Sequence, residues 1–168
     1  GGRRLEQGPA RYTQWLENNL GHAREVFAVD VHTGLGKPGV ATLLVDLTAD
    51  DPEFSALRTI FGEHIASWDA GTSVAYQIHG GHPGTISRIL PGTKVRFLTQ
   101  EFGTIKPLKV LHALREENRW HHYGDATIEH RSKLGVLNAF RPSSPAWDQA
   151  IITRGAHVYD EVSAQLFT

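Results

Sequence analysis

The chain has 168 residues, a formal net charge of −1 and no cysteine. This length suits a single domain, the balanced charge excludes the basic face of a typical nucleic-acid binder, and the lack of cysteine excludes disulfides, thiol catalysis and cysteine-ligated zinc. Because no apolar run approaches the roughly 20 residues of a membrane helix, we expect a soluble, cytoplasmic protein with neither a nucleic-acid nor a membrane partner.

The first elements in chain order alternate between helix and strand. Apolar residues at helical spacing predict a helix over residues 10–20, and the β-rich run at 26–31 predicts a central strand that is covered on both faces. A second apolar run at 40–45 predicts another strand. Asp51 followed by Pro52 then indicates the cap and first turn of a helix.

The remaining elements are mostly helical. They are predicted as a weak strand at 73–78, a loop at 80–84 with a short helical turn after it, a strand at 94–98, and helices at 107–120, 127–139 and 145–166. The two histidines of the segment HGGH at 79–82 are expected to be structural or solvent-exposed. Strands separated by helices predict one layered α/β domain over residues 1–168.

Three side chains near predicted strand ends could carry chemistry, namely Asp30, His32 and Glu101. Functional groups in open α/β sheets gather where the carboxyl ends of strands meet loops. Because strand side chains alternate, Asp30 and His32 should project to one side, where a carboxylate can orient an imidazole for metal binding or proton transfer. Glu101 could be the general base of a metal-assisted hydrolysis. The plainer interpretation, in which His32 caps a loop and Glu101 is a solvated surface residue, remains open.

Other histidines give weaker patterns. His22 and Glu25 match the H-x-x-E spacing of zinc hydrolases, but they precede the strand whose far end carries His32. A six-residue strand separates its ends by almost 20 Å at about 3.3 Å per residue, too far for ligands of one ion. We interpret His121 and His122, at the end of a helix, as surface residues.

Four segments resemble the DUF2817 family: DVHTGLGKPG at 30–39, LTQEFGT at 98–104, VLHALREENRWHHYG at 110–124 and LNAFRPSSPAWDQAIITRG at 137–155. That family belongs with the M14 zinc carboxypeptidases and is similar to the aspartoacylase and succinylglutamate desuccinylase group. The resemblance implies a three-layer αβα fold with a mixed sheet and one zinc ion held by an H-x-x-E pair and a later histidine. By motif match, His32 is that zinc ligand with Asp30 behind it, and Glu101 is the catalytic glutamate.

The resemblance covers only the C-terminal half of such a domain, and the H-x-x-E pair and the substrate-binding arginines belong to the other half. His22 and Glu25 do not replace that pair, because they match the connection before the DVHTG motif. We therefore expect this chain, which contains no methionine, to be inactive alone and to require the N-terminal half of the same enzyme. The implied reaction is zinc-dependent hydrolysis of an amide bond in a peptide or an N-acyl amino acid.

Two other hypotheses remain. The chain could be a noncatalytic α/β binding or interaction domain in which His32 and Glu101 are vestigial. Alternatively, His22, Glu25 and His32 could form a short-spaced metal site.

Overall fold

The structure, a computed structural model, describes residues 4–67, 81–125 and 127–167. The strands are β1 (Glu25–Gly34), β2 (Ala41–Val45), β3 (Ile65–Ser67) and β4 (Lys94–Gly103). The helices are α1 (Gln7–Leu20), α2 (Pro52–Phe61), α3 (His82–Ile89), α4 (Pro107–Tyr123), α5 (Arg131–Phe140) and α6 (Pro145–Leu166), with a 3-10 turn at Gly62–His64.

The described strands form one mixed sheet in the order β1-β4-β2-β3. β1 and β4 are parallel and aligned along their whole length, from the pair Glu25 and Lys94 to the pair Gly34 and Gly103. β2 runs antiparallel to β4 and parallel to β3. The predicted α/β fold with a mixed sheet is therefore confirmed.

Helices cover both faces of this sheet, as the three-layer prediction requires. On one face, Leu98 of β4 packs in a buried cluster with residues of α2 and α6, such as Leu57 and Val158. On the other face, Leu16 of α1 and Ile86 of α3 form a second cluster. Because strand side chains alternate, neighbouring residues of β1 and β4 contribute to opposite clusters.

Among the described strands, the strand predicted at 26–31 lies at the edge of the sheet rather than at its centre. β1 stands at one end of the described strand order and pairs only with β4 there. Val31 is 58% exposed, although its sequence neighbourhood is apolar. An apolar run can therefore occupy the edge of the described sheet as well as its centre.

Most predicted elements occur, with shifted ends. β4 continues from the predicted 94–98 through Gly103, so that Glu101 lies within the strand. The cap of α2 is confirmed, because the Asp51 carboxylate accepts a hydrogen bond from the Glu53 amide at 2.8 Å. The predicted short turn after residue 84 is a complete helix, α3, which begins at His82. The predicted strand at 73–78 lies outside the described residues.

One predicted helical pattern faces outward. Leu108, Leu111 and Leu114 recur at helical spacing on α4, but Leu108 is 80% exposed and the other two are also exposed. The buried apolar residue of α4 is Val110. Within the described part of the chain, no helix combines the length and apolar character that crossing a membrane requires.

Candidate active site

His32 and Glu101 lie side by side at the carboxyl ends of neighbouring strands. In the parallel register of β1 and β4 they are direct partners. His32 Nδ1 lies 3.8 Å from Glu101 Oε2, slightly beyond hydrogen-bond distance. The two groups predicted to converge from positions 69 residues apart (101 − 32) therefore face each other across a short gap.

Asp30 lies two residues before His32 and projects to the same side of β1, as the alternation of strand side chains predicts. Its Oδ2 lies 3.1 Å from His32 Nε2. An ionised carboxylate only accepts hydrogen bonds, so the Nε2 atom of His32 is the donor. In a neutral imidazole the Nδ1 atom then carries the lone pair, and this lone pair faces Glu101.

Glu101 is held in place by the backbone that follows β1. The amide of Leu35 donates a hydrogen bond to Glu101 Oε1 at 2.8 Å, while Oε2 remains directed toward His32. The residue is only 7% exposed. Burial raises the pKa of the Glu101 carboxyl above its usual value, and the hydrogen bond from the Leu35 amide and the charge that His32 carries when protonated oppose this effect only in part.

The loop that supplies the Leu35 amide packs directly on the end of β4. Gly36 has a φ of 110°, a conformation that side chains rarely adopt. A Cβ atom on Gly103 would lie 2.1 Å from the Lys37 carbonyl oxygen, so only glycine allows this approach. The loop and β4 are also joined by two backbone hydrogen bonds of 3.0 Å each, from Gly39 to the Gly103 carbonyl and from Gly103 to the Val40 carbonyl.

The structure adds His82, which the sequence interpretation left without a role. Its ring is exposed, as expected, but Nδ1 lies 3.3 Å from Asp30 Oδ2. The ring of Tyr12 on α1 contacts that of His82, with centroids 5.6 Å apart. No local pattern predicts this contact, because Asp30 and His82 are 52 residues apart in sequence. The other histidine of that segment, His79, lies outside the described residues.

The remaining histidine candidates do not join this group. Glu25 begins β1 and binds Arg96, with Glu25 Oε1 and Arg96 Nη1 2.7 Å apart, whereas His32 lies near the other end of the strand. The structure therefore does not bring Glu25 and His32 together, and His22 is exposed before β1. His121 and His122 are exposed at the end of α4, as predicted.

Zinc is implied by the family resemblance, and the described side chains meet its requirements only in part. His32 offers one imidazole nitrogen, which is a suitable zinc ligand, with a carboxylate behind the ring. Catalytic zinc usually needs three protein ligands. Among residues 4–67, 81–125 and 127–167, however, no group of three or more His, Asp or Glu side chains is placed to hold a metal ion. The described residues therefore do not form a complete zinc site by themselves.

A groove of about 610 Å³ adjoins Asp30 and His82. It lies beside α1 and α3, and Tyr12, Ile86 and Phe97 form part of its apolar lining. A larger groove of about 830 Å³ lies between α4 and α5 around Trp120, and its described lining includes neither His32 nor Glu101. The described lining of the smaller groove also lacks these two residues, but it includes Asp30, which contacts His32, so this groove is the one connected to the candidate site.

Comparison with protein families gives a match that covers most of the chain. The sequence model of a family described as a protein of unknown function, DUF2817, matches residues 1–154. Neither the comparison with curated proteins nor that with solved structures gives a match.

Proposed function

This chain belongs to the DUF2817 family, and we propose that it forms part of a zinc-dependent hydrolase of amide bonds. The substrate class is a peptide or an N-acyl amino acid, as the resemblance of DVHTG and EFGT to zinc carboxypeptidases implies. The remaining zinc ligands would come from outside the described residues, from the N-terminal half of the same enzyme.

The observation that carries this proposal is the pairing of a buried carboxyl with an oriented imidazole at adjacent strand ends. His32 Nδ1 and Glu101 Oε2 are 3.8 Å apart. With Nε2 donating to Asp30, a neutral His32 directs its lone pair toward an electronegative oxygen. Two such groups repel each other unless a proton or a cation lies near both. The pair of His32 and Glu101 therefore suits a site that binds a positively charged ligand.

Glu101 has the properties of a general base for hydrolysis. Burial raises the pKa of the Glu101 carboxyl, which makes its carboxylate a stronger base toward an attacking water. As the water oxygen forms a bond to the amide carbonyl carbon, its proton would pass to Glu101 Oε2. The same proton would then be transferred to the amide nitrogen as the carbon–nitrogen bond breaks, which releases a carboxylic acid and an amine.

In this arrangement His32 would be the metal ligand, with Asp30 behind its ring. Asp30 fixes the Nε2 atom of His32 and leaves Nδ1 available as a ligand atom. Zinc, when bound, would supply Lewis-acid polarisation of the carbonyl group. The groove beside Asp30 offers apolar contacts to a substrate side chain or acyl group.

The noncatalytic alternative has one observation in its favour, the lack of a three-ligand cluster among the described residues. A binding or interaction domain needs no metal. Metal content therefore separates the two hypotheses.

The test is elemental analysis of the intact purified protein, together with hydrolysis of peptides and N-acyl amino acids. We expect stoichiometric zinc that is lost in His32→Ala. We expect Glu101→Gln to retain zinc and to lose about 10²- to 10⁴-fold in turnover, as removal of a general base does. His64→Ala, an exposed histidine outside the site, is the matched control.

Absence of zinc from the intact wild-type protein would refute the proposal and favour the binding module. Zinc retained in His32→Ala would remove His32 as a ligand. Zinc that depends on Glu25 instead would support the short-spaced site.

A further inference from the structure

Two imidazole rings share one oxygen of Asp30. His32 Nε2 lies 3.1 Å from Asp30 Oδ2, and His82 Nδ1 lies 3.3 Å from the same atom. Because an ionised carboxylate only accepts, each ring presents an N–H to it. Asp30 is thus bonded both to the histidine that faces Glu101 and to a second histidine from a different element.

Burial alone does not fix the Asp30 side chain. It is 30% exposed, and His32, its neighbour on the same strand, is half exposed. Within the described part of the chain, its side-chain hydrogen bonds go to the two imidazoles. The contact from His82 is the one that comes from outside β1, so it resists rotation of Asp30 into solvent.

His82 is well placed to provide this contact. It is the first residue of α3, and the proline after it favours the backbone of a helical first turn. The Tyr12 ring on α1 lies against the imidazole at an interplanar angle of 39°. Ile86, one turn further along α3, is buried in the cluster that attaches α1 and α3 to the sheet.

We propose that His82 is a positioning residue, which holds Asp30 in the rotamer that orients His32 toward Glu101. The imidazole acts through Asp30 and does not touch the reacting atoms. In metal sites, loss of such an outer hydrogen bond typically weakens metal binding or activity by 10- to 100-fold. Its consequence for activity rests on the proposed function, whereas the positioning itself is a property of the described residues.

The primary test measures side-chain rotamers in solution, with no metal or substrate. Three-bond NMR couplings of the Asp30 and His32 β-protons report χ1 directly. We expect one rotamer of each residue in the wild-type protein and rotamer averaging of Asp30 in His82→Ala. His82→Asn, which keeps an N–H donor at a similar distance from the backbone, should restore the single rotamer.

Two controls separate positioning from damage to the fold. His112→Ala, an exposed histidine on α4, should leave the Asp30 couplings unchanged. Tyr12→Phe keeps the ring contact and should behave like the wild-type protein. A single Asp30 rotamer retained in His82→Ala, with the rest of the spectrum unperturbed, would overturn the proposal, as would averaging that His82→Asn fails to correct.

A second measurement, zinc affinity of the intact protein, distinguishes the two proposals. His82→Ala should weaken zinc binding by 10- to 100-fold, and His82→Asn should recover most of it. If the intact protein binds no zinc while Asp30 still depends on His82, the hydrolase proposal fails and the positioning role stands. If zinc binds equally well in His82→Ala and Asp30 keeps a single rotamer there, the positioning role fails and the hydrolase proposal stands.

Discussion

At the scale of single residues, Glu101 combines an ionisable carboxyl with an almost fully buried position. Removing a carboxylate from water disfavours its charged form, and one amide hydrogen bond compensates only in part. The folded chain therefore holds this proton to a higher pH than the unfolded chain does. Ionisation of Glu101 consequently lowers the free energy of unfolding of the protein without metal.

Replacement of Glu101 by glutamine should therefore stabilise the metal-free chain at neutral pH. Glutamine keeps an oxygen for the Leu35 amide and carries no charge to desolvate. The gain in the free energy of unfolding of Glu101→Gln should vanish below the unfolded carboxyl pKa of about 4.3, because Glu101 is then protonated in both the folded and the unfolded chain. Urea unfolding of both proteins at pH 7.5 and below pH 4 measures this difference.

Glu63 provides a control, because its pKa is shifted in the opposite direction to that of Glu101. Arg58 donates to both of its carboxylate oxygens at 2.7 Å and lowers its pKa. That contribution to stability is present above the unfolded carboxyl pKa and is lost as the pH falls. Glu63→Gln should therefore give no gain at neutral pH. A destabilised Glu101→Gln protein at pH 7.5 would contradict the stated effect of burial.

Sequence reasoning could predict much of this site but not all of it. The shared side of Asp30 and His32 follows from strand alternation, and the approach of Glu101 follows from two strand ends meeting at one edge. The contact between His82 and Asp30 could not be predicted, because it depends on how α3 packs against α1 and the sheet. That packing is tertiary, and neither glycine-rich spacing nor a local motif encodes it.

At the scale of elements, the end of β4 and the loop after β1 form one unit. The loop backbone crosses Gly103 so closely that a Cβ atom there would lie 2.5 Å from the Gly36 carbonyl carbon. The nearest atoms, which belong to Gly36 and Lys37, are backbone atoms, so no side-chain rotation can relieve the clash. Glu101, two residues earlier on β4, receives its hydrogen bond from the same loop.

Gly103→Ala should therefore displace this loop and destabilise the protein by about 1–3 kcal/mol, as overpacking does. The Leu35 amide should lose its protection from hydrogen exchange. Gly135→Ala on α5 is the control, because a methyl group there meets nothing within 4 Å. It should be neutral or stabilising by up to about 1 kcal/mol. A Gly103→Ala protein of unchanged stability would contradict the close approach.

Element boundaries illustrate where patterns mislead. β4 extends through polar residues that weaken a strand pattern, because pairing with β1 continues to Gly103. The three-residue β3 is too short to produce a periodic signal. On α4, apolar spacing correctly indicates a helix but not its buried side, since Leu108 and Leu111 are exposed and lie on other sides of the helix than buried Val110.

At the scale of the whole molecule, both buried clusters depend on the same two strands. Phe27, Val29 and Leu98 contribute to the cluster with α2 and α6, whereas Ala28 and Phe97 contribute to the cluster with α1 and α3. Disruption of either face thus disturbs the strands that support the other. The described helices and strands should unfold together.

Leu98→Ala and Ile86→Ala test this coupling from opposite faces of the sheet. Each should lower the free energy of unfolding by about 2–5 kcal/mol and shift a single urea transition without changing its slope. Ile152→Ala, at an exposed position on α6, should change stability by no more than about 0.5 kcal/mol. Separate transitions for the two faces would contradict the expected cooperativity.

The Leu35 hydrogen bond has a mechanical consequence. His32 and Leu35, whose amide donates a hydrogen bond to the Glu101 carboxyl, are three residues apart in sequence. If β1 slides relative to β4, that amide pulls the Glu101 side chain in the direction in which the imidazole travels. The distance between the His32 ring and the Glu101 carboxyl should therefore change little when the two strands shift slightly.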